Sequence, residues 1–167
     1  MRYSILLLLL VTLYSCNIKS DKKEQTKNTE TDSTFHFTLT VGTSIIDSKT
    51  GTYTRKYIKE SKSVHFKFTN KEIEKIKCLY FDSKLDTLPN NYDPNCNISI
   101  EPSFEEKLTF NFDGKQKIFI YNNDYECFDS NTREIVSNMK CLSEYILNAV
   151  FDKEEVNQLE PSDFIFF

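Results

Sequence analysis

Tryptophan is absent from this chain of 167 residues, alanine occurs once, and there are only three glycines, four prolines and two histidines. Each scarcity closes a class of function. Gly42, Gly51 and Gly114 are never clustered, so no glycine-rich loop can wrap a phosphate. His36 and His65 lie in no H-E-x-x-H motif, and no G-x-S-x-G element is present, which argues against a metallohydrolase or serine-hydrolase site. No pair among the five cysteines has C-x-x-C spacing, which argues against a zinc site or a thioredoxin-like redox pair. The longest apolar run, Ile5 to Leu13 with Thr12 inside it, falls well short of the about 20 residues that span a bilayer. Positive charge is in deficit, at 21 Lys+Arg against 25 Asp+Glu. That balance argues against a nucleic-acid partner, since phosphate binding needs a basic face. With no catalytic motif left, the chain reads as a non-enzyme that needs no cofactor and no metal.

The amino terminus is the most specific feature present. Arg2, an apolar run of h-region length and then Leu13-Tyr14-Ser15-Cys16 follow in order. The first two fit a secretory signal peptide. The four residues that close the run resemble the lipobox of bacterial lipoproteins, with Tyr14 bulkier than the small residue usual there. The resemblance implies removal of residues 1–15 and lipidation of Cys16. It also implies a place in the bacterial cell envelope, at the outer membrane and facing either the periplasm or the surface. Two or three acyl chains would hold the protein there, each buried methylene contributing about 0.8 kcal/mol. The bias towards Lys, Asn, Ile, Phe and Tyr is similar in style to Bacteroidetes lipoproteins. Residues 17–34 hold Ile18 as their only aliphatic, so they cannot offset their own ordering entropy. They read as a flexible tether with a span of about 25 Å.

Residues 35–167 suffice for one folded domain. Strict alternation predicts strands over Phe35–Val41, Tyr53–Ile58 and Val64–Phe68. Thr69 and Glu72 have capping-box spacing, with Phe68 and Ile73 placed as a hydrophobic staple. They start a helix that puts Ile73, Ile76 and Tyr80 on one face and fades near Ser83. Leu108–Phe112 and Lys115–Tyr121 predict a hairpin. A three-residue turn with Gly114 left-handed would bring Leu108, Phe110, Ile118 and Ile120 to one face, and is preferred over a two-residue Asp-Gly turn. A last helix over 132–150 carries Ile135, Met139, Leu142, Ile146 and Ala149 at helical spacing. The predicted fold is α+β, an antiparallel sheet of about five strands with two helices on one face. That element order, with the Leu88-Pro89 step after the first helix, is similar to the emfourin group of inhibitors of thermolysin-like proteases. The resemblance implies an inhibitor and transfers no residue.

Four cysteines remain after Cys16, and an even number in an oxidising compartment predicts disulfides. The nearest-neighbour pairing would join Cys78 to Cys96 and Cys127 to Cys141. Residues 93–99 imitate the opening of a calcium loop, but Ile98 stands where glycine is needed and Phe104 where glutamate is. Glu101, Glu105 and Glu106 read as a surface acidic patch. Both histidines read as exposed strand residues. Phe164, Ile165, Phe166 and Phe167 form an apolar end that either completes the core or meets a partner. Taken together, the sequence predicts a lipid-anchored binding or interaction module of the envelope, with a protein partner there. Inhibition of a protease, immunity to a toxin, or an enzyme without a recognisable motif are the alternatives.

Overall fold

A computed structural model of the chain describes residues 35–94, 105–122 and 127–164. Cys16, the tether, the calcium-like segment from 95 onward, Glu101 and Ile165–Phe167 lie outside the described residues. Strands β1 (His36–Val41), β2 (Ser44–Asp47), β3 (Thr52–Lys56) and β4 (Ser61–His65) come first. Helix α1 (Asn70–Asp82), a 3-10 turn over Leu85–Thr87 and the short strand β5 (Asn91–Tyr92) follow. Strands β6 (Glu106–Phe112) and β7 (Lys115–Tyr121) then lead to α2 (Ser130–Phe151) and α3 (Glu154–Asn157). The class is α+β, as the alternation and helix signals predict. Among the described residues the sheet has seven strands in the order β4-β3-β2-β1-β6-β7-β5, and the helices, with the short α3, number three. Three expectations are thereby corrected: the sheet is larger than five strands, a third helix follows the expected two, and the sheet is not wholly antiparallel, because β5 pairs with β7 in parallel.

The helix with the clearest start forms as its signals dictate. The Thr69 hydroxyl accepts from the Glu72 amide and the Glu72 carboxylate accepts from the Thr69 amide, at 3.2 and 2.6 Å. These bonds satisfy two of the donors that a helix leaves open at its first turn. Ile76 and Tyr80 are buried and Ile73 packs against the core. In α2, Asp129 caps the Thr132 amide at 2.7 Å, and Val136, Met139, Leu142, Ile146 and Val150 turn one stripe inward.

Register decides what the helices cover. Phe37 and Leu39 of β1 stand opposite Phe110 and Leu108 of β6, and Leu108 stands opposite Phe119 of β7. All five are buried on the helical side, together with Ile46 and Tyr53. Burying one such phenylalanine contributes about 2–3 kcal/mol. Phe35, Phe37, Tyr80 and Phe110 also meet edge-on or tilted, Tyr80 lying 4.4 Å from Phe110 between ring centres. The other face carries Thr38, Thr40, Thr54 and Thr109 with Ile45, Ile118 and Ile120, all half-buried. Thr54 and Ser63 share a hydrogen bond across that face at 2.7 Å.

The β6–β7 hairpin corrects the preferred turn. Phe112 pairs with Lys115, so the loop is the two residues Asp113 and Gly114, both at positive φ, 49° and 72°. That geometry matches the right-handed twist of the strands. Phe119 and Tyr121 therefore face the helices and Ile118 and Ile120 do not. The physical reason is area: two aromatic rings bury more apolar surface than two isoleucines.

Candidate functional site

The segment of residues 159–164, which leads into the predicted apolar end, lies at the β3–β4 end of the sheet, held there by polar contacts. Tyr53 points into the core, so Arg55 and Tyr57, two and four residues on, continue the same face beyond the helices. The Arg55 guanidinium donates through Nε to the Tyr53 hydroxyl at 3.0 Å. Through Nη1 it donates to the carbonyl oxygens of Leu159 at 3.0 Å and Glu160 at 2.7 Å. The Tyr57 hydroxyl donates to the same Glu160 carbonyl at 2.7 Å. Ser162 donates to the Lys56 carbonyl, and the Ile58 amide donates to the Asp163 carboxylate, each at 2.7 Å. Arg55 suits this task because its planar fork can serve several acceptors at once.

Electrostatics adds a smaller increment. Lys62 lies 3.6 Å from the Glu160 carboxylate and 3.5 Å from Glu60. The charge of Glu160 holds the Lys62 ammonium above its ordinary pKa, and Glu60 acts the same way. A buried link runs inward from the clamp, since Tyr53 Oη also lies 2.9 Å from Ser44 Oγ. The clamp leaves Ile58, at 65%, and Phe164, at 41%, exposed at one tip of the molecule. They are two of four exposed large apolar residues among those described, and the Ile58–Asp163 bond places them together in the chain path.

Other candidate residues do not converge. His36 lies on β1 and His65 on β4, with two strands between them in the sheet, and His65 Nδ1 lies 3.4 Å from Thr52 Oγ1. Among the described residues no group of three His, Cys, Asp or Glu could hold a metal. Cys78 and Cys141 are free, exposed thiols, so neither end of the nearest-neighbour pairing forms. Helix phase explains this: Ile76 and Tyr80 in α1, and Met139 and Leu142 in α2, take the buried stripes and turn the cysteines outward. Cys127 is disulfide-bonded, to a partner outside the described residues.

Glu106 corrects a further expectation. Glu105 is exposed as read, but Glu106 is buried, not part of a surface patch. Its β6 register places it opposite Tyr121, whose hydroxyl donates to its carboxylate at 2.9 Å. Tyr121 Oη also lies 2.5 Å from Ser143 Oγ on α2. Burial raises the Glu106 carboxyl above the usual range against the opposing pull of Tyr121 and Lys140. Strand parity counted back from Leu108 and Phe110 was the signal that could have revealed it. The arrangement joins sheet to helix, with Glu106, Tyr121 and Ser143 all buried.

Among the described residues no helix is long and apolar enough to cross a membrane. No family model matches the sequence, and no curated protein or solved structure is similar to it.

Proposed function

We propose that the protein is a lipid-anchored, non-catalytic binding module of a bacterial cell envelope, tethered through Cys16 and engaging a protein partner at the tip that carries Ile58 and Phe164. One observation carries the reading: Arg55, Tyr57, Lys56 and Ile58 bind the segment from Leu159 to Asp163 by side-chain and backbone hydrogen bonds, yet the apolar residues on either side of it face solvent. A segment that only filled the core would bury those residues. An apolar tip held rigidly loses little conformational entropy on association, which favours a specific contact. The amino-terminal signal supports the anchor, and the tether would hold the folded domain about 25 Å from the bilayer.

The test uses full-length protein in its own cells, with a photo-crosslinker at Lys59, beside the tip. A discrete crosslinked protein that disappears in the Ile58→Asp variant, but persists in Glu155→Gln at a distance, supports the module. Radiolabelled palmitate should enter the wild type and not Cys16→Ser. Crosslinks that are unaltered by Ile58→Asp would overturn the assignment of the tip. A Cys16→Ser form that still takes up label would overturn the anchor.

A further inference from the structure

At the opposite end of the sheet from the clamp, a recess of about 190 Å³ opens between α1, the 3-10 turn and the β6–β7 hairpin. Phe110 and Tyr80 form its floor, both almost wholly buried. Phe81 and Phe112 wall it, their rings 5.5 Å apart and nearly perpendicular. The two-residue turn creates the space. It sets Lys117 opposite Phe110 on the helical face, where a polar side chain cannot continue the core. The Lys117 amine turns aside to the Leu88 carbonyl.

Two observations mark the recess as a site and not a packing gap. Tyr80 is 3% exposed, and its hydroxyl has no hydrogen-bond partner among the described residues. With no protein partner, this hydroxyl must bond to whatever fills the recess, since leaving the bond unmade would cost about 1–3 kcal/mol. Burial first, and Asp86 second, push its pKa up to about 12, so the phenol remains a proton donor at neutral pH. Around the mouth, Asp86, Asp113 and Lys115 stand without ion-pair partners among the described residues. With Lys117 the rim carries two charges of each sign and no net charge.

The geometry points to a binding site for a small zwitterion built on one aromatic ring, of the class of the free aromatic amino acids. The ring packs on Phe81 and Phe112, the aromatic walls that keep accessible surface, in the offset or edge-to-face contact that aromatic pairs prefer. A cavity of about 150 Å³ already accommodates benzene, so this one has space for a ring and little more. The ligand's carboxylate accepts from the Tyr80 hydroxyl and faces Lys115. Its ammonium faces Asp86 and Asp113. A purely apolar ligand would leave the phenol unsatisfied, and an ion of either sign would meet two like charges. This inference concerns a different end of the molecule from the tip and does not rest on it.

The test is titration calorimetry of the full chain with L-phenylalanine at pH 7, beside toluene and N-acetyl-phenylalaninamide. Saturable binding of phenylalanine, weakened about tenfold in Tyr80→Phe, is the expected result. Tyr80→Phe keeps the ring and its packing; Asp86→Asn, at an exposed position, gives a second variant with the same expected direction. Absence of saturable phenylalanine binding overturns the proposal, as does an affinity unaltered in both variants. Equal or tighter binding of toluene shows an apolar hole only, and equal or tighter binding of the capped amide shows a pocket for peptide side chains. Either overturns the zwitterion assignment.

Discussion

Replacing Arg55 by methionine preserves the length and apolar stem of the side chain and removes every donor. Three hydrogen bonds disappear, one to Tyr53 and two to the carbonyls of Leu159 and Glu160. Hydrogen bonds from a charged donor contribute about 1.5–3 kcal/mol each in protected settings. Glu160 is exposed, so water replaces much of what its carbonyl loses, and the Tyr53 hydroxyl keeps Ser44. A net loss of about 2 kcal/mol follows. For a domain of this size that corresponds to a fall in Tm of about 6–8 °C. Scanning calorimetry reads the fall, and amide exchange reads its location. The Ile58 amide is bound to Asp163, so detachment of the segment should expose it while the amides of β1 and β6 keep their protection. Arg55→Lys should fall between the two, because an ammonium cannot span all three acceptors. A Tm within 1 °C of wild type, with Ile58 exchange unaltered, would refute the clamp.

Gly51 has φ +61°, and an added Cβ would lie 2.5 Å from the Phe66 carbonyl oxygen, so Gly51→Ala should destabilise by roughly 2–4 kcal/mol in a denaturant melt. Gly114→Ala meets open space at φ +72° and should cost only about 1 kcal/mol; equal losses in the two variants would show that the close approach is irrelevant. Burial raises the Glu106 pKa in the folded chain, so the folded state retains a proton that the unfolded chain releases. Stability contributed by the protonated carboxyl is therefore present at low pH and lost as pH rises from the ordinary Glu range through the raised value. Glu106→Gln should flatten that part of the stability curve, and a curve of unaltered slope there sinks the assignment. In peptide maps without reductant, Cys78 and Cys141 should be alkylated in the native chain. Under the proposed anchor, which would occupy Cys16, Cys127 should pair with Cys96; a Cys127–Cys141 peptide would contradict the free Cys141 thiol.

Local chemistry was readable where one residue type answers one geometric need. The Thr69–Glu72 box and the stripe from Val136 to Val150 are of that kind, and so is the alternation in β1. Strand β2 was not readable, because Ser44–Asp47 is too short for periodicity to separate it from the turn that follows. Strand β5 has two residues and exists only because β7 stands beside it. The hairpin turn depended on a competition between Ile118 with Ile120 and Phe119 with Tyr121, which is settled by what α2 can cover. That same parity buries Glu106 and sets Lys117 at the mouth of the recess. At the tip, composition revealed the apolar end, but the clamp joins residues about a hundred positions apart that no local pattern links.

The middle of the sheet has a consequence for how the molecule is made. β1 pairs with β2 on one side and with β6 on the other, so Phe37 finds Phe110 across most of the domain's length. A chain that emerges amino terminus first, from a ribosome or a translocation pore, can close the β1–β4 meander early. It then waits, with one edge of β1 and its aromatic face unpaired, until β6, β7 and α2 arrive. Contacts so distant in sequence slow folding. During that interval the unpaired edge is open to a neighbouring chain, so a holding chaperone would matter most to this protein before its second half appears.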